Sequence, residues 1–169
     1  MDELRPFAAG GARILEWKTG DLTGDGRMDA LLVLDPPIRG DEKLGEGPER
    51  TVLILVREAC GSLREASANR RVVPCAHRGG VAGDPFGYVK LEPRGFTVVN
   101  GGGSRERWSD EFTFIYAADH DDWFVDKVSR QVSDSETGLE KRIELSPEEL
   151  GRIAFEDFDP EKVPEVTLP

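Results

Sequence analysis

One short stretch, residues 21–29 with the sequence DLTGDGRMD, constrains the fold most, because an apolar run, ALLVL, follows it at once. Oxygen-bearing side chains occupy its first, third, fifth and ninth positions, and Gly26 occupies the sixth. This is the spacing with which a short loop curls around a hard cation such as calcium, which needs six or more oxygen ligands. The twelfth position is Leu32, which has no ligand atom. The sequence therefore predicts a cation-binding loop that leads into a buried β-strand.

This loop resembles the FG-GAP and VCBS-type repeats, whose motif D-x-N/D-G-D-G-x-x-D also runs into a hydrophobic strand. The resemblance implies Ca²⁺ as the ion, with Asp21, Thr23, Asp25, the backbone carbonyl of Arg27 and Asp29 as ligands. The family usually has Asn or Asp where this chain has Thr23, and a hydroxyl is a weaker ligand, so we expect a low affinity. The alternative is a metal-free turn, in which Asp and Gly only satisfy backbone groups.

A wider set of motifs follows in the order GGVAGDPF (79–86), GGGS (101–104), RW (107–108) and FTFIY (112–116). Together with the loop, these motifs resemble a group of small, uncharacterised bacterial β-rich proteins over residues 15–132. The resemblance implies a β-rich fold and a periplasmic or extracellular location in the cell envelope, but no particular reaction. If the N-terminus as given is native, the expectation is a cytoplasmic protein instead, because the first residues do not form a signal peptide.

Turn residues recur between short β-type runs, which predicts a mostly β protein. We expect a single antiparallel sheet of hairpins, strongly twisted or partly closed, with one calcium-type loop and a short C-terminal helix that begins after Ser146. The apolar run 28–34 predicts a strand that is buried on both faces. The glycines 101–103 are expected to break the chain. The predicted strands are 12–18, 28–34, 51–56, one from residue 63, a short one at 70–73, then 88–92, 95–100, 108–116, 123–132 and 139–145. One domain, residues 1–169, is expected, with flexible ends at 1–10 and 160–169.

Charge and cysteine content exclude several classes of function. The formal net charge of −11 opposes binding to nucleic acid, which needs a basic face. No apolar run approaches the ~18 residues of a membrane helix, so membrane insertion is not expected. The two cysteines, Cys60 and Cys75, form either one disulfide or two free thiols, and the sequence does not indicate an oligomeric state.

Four residues are candidates for a binding surface: His77, Asp84, Arg107 and Trp108. His77 follows Cys75 by two residues, which permits a nucleophile–base pair or two zinc ligands, but no third group is close in sequence. Asp84 offers a carboxylate to a cleft, and Trp108, beside the glycine run, is the aromatic residue expected to be exposed.

The sequence therefore favours a calcium-binding, β-rich interaction module of the cell envelope, with a structural ion and an unidentified ligand or protein partner. One alternative is an acidic inhibitor or immunity-type protein that binds a basic protein, because the net charge is −11 and no catalytic set is present. A second alternative is a hydrolase that uses His77, Asp84 or the acids of residues 119–122. No pair of acids can be assigned catalytic roles from spacing alone, so the sequence leans away from an enzyme.

Overall fold

In the computed structural model, which describes residues 2–8, 10–37, 49–75 and 84–168, the chain folds into nine strands arranged in two sheets. The N-terminal sheet contains β1 (Arg13–Gly20), β2 (Asp29–Asp35), β3 (Thr51–Arg57) and β4 (Leu63–Asn69). The C-terminal sheet contains β5 (Phe86–Glu92), β6 (Gly95–Gly103), β7 (Glu106–Ala117), β8 (Asp122–Asp134) and β9 (Glu140–Leu145). All pairs are antiparallel, and each strand lies beside its neighbours in sequence.

The mostly β, antiparallel prediction is confirmed, but the strands divide into two sheets where the sequence predicted one. Residues 70–73, which were expected to form a short strand, form bends instead. Strands β4 and β5 do not pair with each other, so the two sheets are separate. The chain leaves the first sheet after β4 and enters the second at β5. The two apolar faces then bury each other, as sheets in a sandwich do.

The main core lies between the sheets, and a second, smaller core covers the outer face of the N-terminal sheet. Leu31 and Val33 of β2 point into the main core. Leu32 and Leu34 point the other way, where Leu4 of a 3-10 helix at Asp2–Phe7 covers them. The prediction of a strand buried on both faces is therefore confirmed, since all of β2 is buried.

The C-terminal sheet is longer than the sheet that covers it. Strands β7 and β8 have 12 and 13 residues, whereas β2, β3 and β4 have seven each. The C-terminal segment contributes Phe155, Phe158 and Val163 to the main core. The Asn69 amide holds this segment in place by donating to the carbonyls of Phe155 and Phe158, at 2.7 and 2.8 Å.

The glycine run does not break the chain as expected. Gly101, Gly102 and Gly103 continue β6, and they pair with Ser109, Trp108 and Arg107 of β7. Gly103 has a φ of +105°, and a Cβ there would collide with the Glu106 carbonyl, so glycine is needed at the end of the strand.

The short C-terminal helix α1 (Pro147–Leu150) is confirmed at the predicted position. The Ser146 side chain accepts a hydrogen bond from the Glu148 N–H, and Glu149 bonds back to the Ser146 N–H. The two satisfy backbone donors that the first helical turn would otherwise leave unpaired.

Both ends that were expected to be flexible carry buried side chains, Leu4 and Val163, which are 1% and 4% exposed. Cys60 and Cys75 are both free thiols, the first exposed and the second buried. Among the described residues, no helix has the length and apolar character needed to cross a membrane.

Candidate metal centre

The predicted cation loop connects β1 to β2, with Asp29 opening β2 opposite Gly20 of β1. Gly24 and Gly26 have φ angles of +86° and +82°, the left-handed region that glycine adopts without strain. The two glycines turn the loop back on itself. This brings its first, fifth and ninth residues together.

Asp21 organises the backbone of the loop. Its carboxylate accepts hydrogen bonds from the N–H groups of Thr23, Gly24 and Gly26, at 3.1, 2.7 and 2.7 Å. Desolvation raises the pKa of Asp21, but these backbone donors outweigh it and hold the pKa below its ordinary value. Asp21 therefore carries a negative charge at neutral pH.

Asp29 is fully buried and joins the loop to the next strand. Its two oxygens each accept a backbone hydrogen bond at 2.9 Å, from Leu22 in the loop and from Arg57 at the end of β3. Desolvation raises the pKa of Asp29, and the negative charges of Asp25 and Asp21 raise it further, against the two backbone bonds. The Asp29 carboxylate thus lies in a buried position where two like charges oppose its ionisation.

The carboxylates of Asp21, Asp25 and Asp29 converge, with one oxygen of each within 4.8 Å of the others. Oxygens that bind one calcium ion at about 2.4 Å lie at most about 4.8 Å apart, so the three fit a single coordination sphere. A carboxylate oxygen has two lone pairs, and Asp21 Oδ2 and both oxygens of Asp29 each use one of them for a backbone hydrogen bond. The donor set is therefore suited to a hard divalent cation.

The other two predicted ligands lie in the same loop. The Thr23 hydroxyl is 3.5 Å from an Asp21 oxygen. The backbone N–H of Arg27 donates to Asp25 at 2.8 Å, and its guanidinium lies 3.7 Å from the same carboxylate. Because the Arg27 side chain is half exposed, water screens that ion pair.

The loop also contacts the C-terminal sheet. The Trp123 indole N–H donates to the Leu22 carbonyl at 3.0 Å, and both side chains are buried in the main core. The Arg94 side chain lies so close to Gly24 that a Cβ there would come within 2.8 Å of its Nε. A cation held by this loop would therefore sit where the two sheets meet.

The charge of Asp25 in the loop also reaches Tyr116 of β7, although Asp121 has the larger effect on its pKa. The Tyr116 hydroxyl donates to Asp121, and this bond, burial and the charges of Asp121 and Asp25 raise the pKa of Tyr116 to about 12. Arg94 opposes the shift without cancelling it.

Asp84, a candidate binding residue, takes part in a structural ion pair. Both of its oxygens accept hydrogen bonds at 2.6 Å from Arg50, a side chain that is 1% exposed. Arg50 also donates to Asp35 at 3.0 Å and to the Pro74 carbonyl at 3.3 Å. The bonds from Arg50 hold the pKa of Asp84 below its ordinary value, which favours a structural role over general acid chemistry. We call Arg50 with Asp35 and Asp84 the arginine clamp.

The other candidate binding residues are not brought to one place. Arg107 and Trp108 are neighbours on β7, so their side chains point to opposite faces of the sheet. Arg107 is exposed and Trp108 is half buried, while His77 lies outside the described residues. His120, with its side chain 3.4 Å from Asp119, is at the exposed tip of the β7–β8 hairpin.

The sequence did not single out Arg50, Asn100 and Arg130, which are buried polar side chains, or Asp110, whose side chain is partly buried. Arg50 carried no local signal, because its partners lie 15 and 34 positions away. The other three residues did carry a local signal, which is strand alternation. For example, alternation places Asp110 on the same face of β7 as Phe112.

No protein-family model matches this chain, and searches of curated proteins and of solved structures found no match either. The resemblance of the loop to FG-GAP and VCBS-type repeats therefore stays a prediction, which depends on the geometry of the loop itself.

Proposed function

We propose that this protein is a calcium-binding β-sandwich interaction module, in which the ion fastens the β1–β2 loop at the junction of the two sheets. The observation that carries the proposal is the convergence of the Asp21, Asp25 and Asp29 carboxylates within 4.8 Å. Three carboxylates so close repel one another, and a divalent cation replaces that repulsion with attraction.

Calcium suits this loop better than magnesium. Calcium accepts six to eight oxygens in a flexible arrangement, whereas magnesium demands a near-ideal octahedron with shorter bonds. A loop that supplies a buried carboxylate, two more accessible ones, a hydroxyl and a carbonyl matches the flexible requirement. A site with Thr23 as one ligand binds weakly, and the millimolar calcium outside the cytoplasm would fill it.

The role of the ion is structural in this proposal. Asp29 already ties the loop to β3, and Trp123 ties it to β8. A ligand that binds only the folded state adds its binding free energy to folding, so the ion would stabilise both attachments at once.

Isothermal titration with calcium tests this function, with Asp25→Ala as the loop variant and Asp126→Ala as the control. Asp126 is an exposed residue of β8, so its replacement removes the same charge outside the loop. We expect one calcium site in the parent protein and in Asp126→Ala, and none in Asp25→Ala. Flat isotherms at millimolar calcium for all three proteins would contradict the proposal.

A further inference from the structure

The inward face of the C-terminal sheet changes its chemistry along the strands. One cross-strand row consists of Val98, Phe112 and Val128, which belong to the main core. The next row, farther from the cation loop, consists of Asn100, Asp110 and Arg130, and the row after it consists of Gly102, Trp108 and Val132. A polar row and an aromatic side chain therefore follow directly on an apolar core.

This part of the sheet forms the floor of a cleft of about 600 Å³. The cleft lies within the range of roughly 300–1,000 Å³ that is typical of small-molecule sites. Residues 70–75 form one wall, and the C-terminal segment at 159–162 forms the other. Asn100, Trp108 and Asp110 line the cleft between them.

Asn100 leaves a hydrogen-bond acceptor unused at this cleft. The side chain is 2% exposed, and its amide N–H donates to the Val72 carbonyl at 2.8 Å, which sets the orientation of the amide. The opposite atom, Oδ1, is buried and has no hydrogen-bond partner among the described residues. A buried acceptor without a donor is unfavourable, so a ligand that donates a hydrogen bond here would be stabilised.

Asp110 and Trp108 add a second acceptor and an apolar surface. Asp110 lies 3.3 Å from the Arg130 Nε, and it is paired across the sheet with Asn100. Trp108 is paired with Gly102, which has no side chain, so no β6 side chain lies directly opposite the indole. Two acceptors next to an aromatic ring are suited to a ligand with hydroxyl donors and an apolar face.

The charges of the walls favour a neutral ligand. Arg70, Arg71 and Lys162 contribute positive charge to the cleft, and Glu49, Asp159 and Glu161 contribute negative charge. A ligand with a net charge of either sign would meet like charges on one side, and the desolvation of its charge would be unfavourable. A neutral ligand with several hydroxyl groups avoids both.

We propose that this cleft binds a neutral saccharide, with the sugar ring stacked on Trp108 and its hydroxyl groups donating to Asn100 Oδ1 and Asp110. This inference deepens the proposed function, from which it takes only the role of a binding module. The cleft lies at the end of the C-terminal sheet away from the cation loop, so saccharide binding does not need the ion as a ligand.

Titration with a panel of neutral oligosaccharides tests the inference, using linear oligomers of glucose, galactose, mannose and N-acetylglucosamine. Binding is followed by calorimetry and by tryptophan fluorescence. The variant Trp108→Ala removes the stacking surface, and Trp17→Ala is the matched control, because Trp17 is 44% exposed on β1 of the other sheet. We expect at least one oligosaccharide to bind, Trp108→Ala to weaken it by about tenfold, and Trp17→Ala to leave it unchanged.

Trp108→Phe keeps an aromatic ring, and we expect it to retain part of the affinity even if the alanine variant folds poorly. The inference is overturned if no oligosaccharide of the panel binds at about 10 mM, or if Trp108→Ala and Trp17→Ala bind equally well. Running each titration in calcium and in EDTA separates the two proposals. Saccharide binding together with a flat calcium isotherm would contradict only the proposed calcium site. Calcium binding without any saccharide binding would contradict only the proposed saccharide cleft.

Discussion

Two groups of aspartates in this protein differ in the source of their counter-charge. In the arginine clamp, Asp35 and Asp84 surround Arg50, and the pKa of Asp84 is lowered by the bonds from Arg50. In the cation loop, Asp29 is buried beside two further carboxylates, and its pKa is raised by burial and by their charges. The chain neutralises the first group with its own guanidinium, and in our proposal a cation from solution neutralises the second.

The largest expected effect is the loss of the arginine clamp. Arg50→Met removes a buried cation and leaves Asp35, whose side chain is 8% exposed, with the exposed Arg13 as its remaining ion-pair partner among the described residues. We expect a loss of about 3–5 kcal/mol in the free energy of unfolding, measured by urea denaturation. The loss should be the same in calcium and in EDTA, because the clamp contains its own cation.

Arg13→Met is the control for this prediction, since Arg13 also binds Asp35 but its side chain is 68% exposed. We expect it to lower the free energy of unfolding by less than about 1 kcal/mol. Equal losses from the two variants would show that burial of the arginine is not what makes the clamp strong.

Asp110 provides an intermediate case, in which a partly buried acid faces an arginine that is shared with other groups. Arg130 lies 3.3 Å from Asp110, but it donates to the carbonyls of Pro160, Val163 and Pro164 in the C-terminal segment. Burial is the largest effect and raises the pKa of Asp110 to about 6, Arg130 opposes it, and Glu165 adds to it. Because Arg130 also binds these carbonyls, it does not lower the pKa of Asp110 in the way that Arg50 lowers the pKa of Asp84.

The sign of the resulting pH dependence follows from this raised pKa. Between about pH 4 and pH 6 the folded protein holds a proton on Asp110 that the unfolded chain has lost, so this group stabilises the fold at low pH and the effect is lost as the pH rises through 6. Asp110→Asn should therefore increase the free energy of unfolding by about 3 kcal/mol at about pH 8 and leave it unchanged at about pH 4. Thermal unfolding of the parent, Asp110→Asn and the control Asp126→Asn across this range measures it. A difference between parent and Asp110→Asn that does not vary with pH would contradict the raised pKa.

A smaller effect is expected where the loop is attached to the C-terminal sheet. Trp123→Phe removes the indole N–H that donates to the Leu22 carbonyl, while an aromatic ring stays in the core. We expect a loss of about 1–2 kcal/mol in EDTA, and a weaker affinity for calcium, because the loop is less well ordered before binding. Denaturation in EDTA and calcium titration give the two values. An unchanged calcium affinity would mean that the loop is organised by the N-terminal sheet alone.

Much of this fold could be predicted from local sequence. Turn residues and alternation predicted every strand from β1 to β9 to within a few residues, and Ser146 predicted the start of α1. These features depend on neighbouring residues, as do the two left-handed glycines of the cation loop. The division into two sheets could not be predicted, because it depends on whether β4 and β5 pair, and the chain between them has no periodic pattern.

The functional residues divide in the same way. Asp21, Asp25 and Asp29 lie within nine positions, so their convergence could be predicted from the loop motif. The arginine clamp joins residues that are far apart in sequence, and only the folded topology brings them together. Asn100, Asp110 and Arg130 form one row across three strands, which depends on the register of both strand pairs.

Thermal unfolding of the parent protein and Asp25→Ala in calcium, magnesium and EDTA tests the central claim most directly, because it compares the loop with and without its cation. At a calcium concentration about 100 times the dissociation constant, the ion adds about 2.7 kcal/mol, or about 5–10 °C in Tm. We expect this rise in calcium for the parent only, a smaller rise in magnesium, and no rise for Asp25→Ala, which in EDTA should be at least as stable as the parent. Equal melting temperatures of the parent in all three solutions would contradict the account and make the loop an ordinary turn.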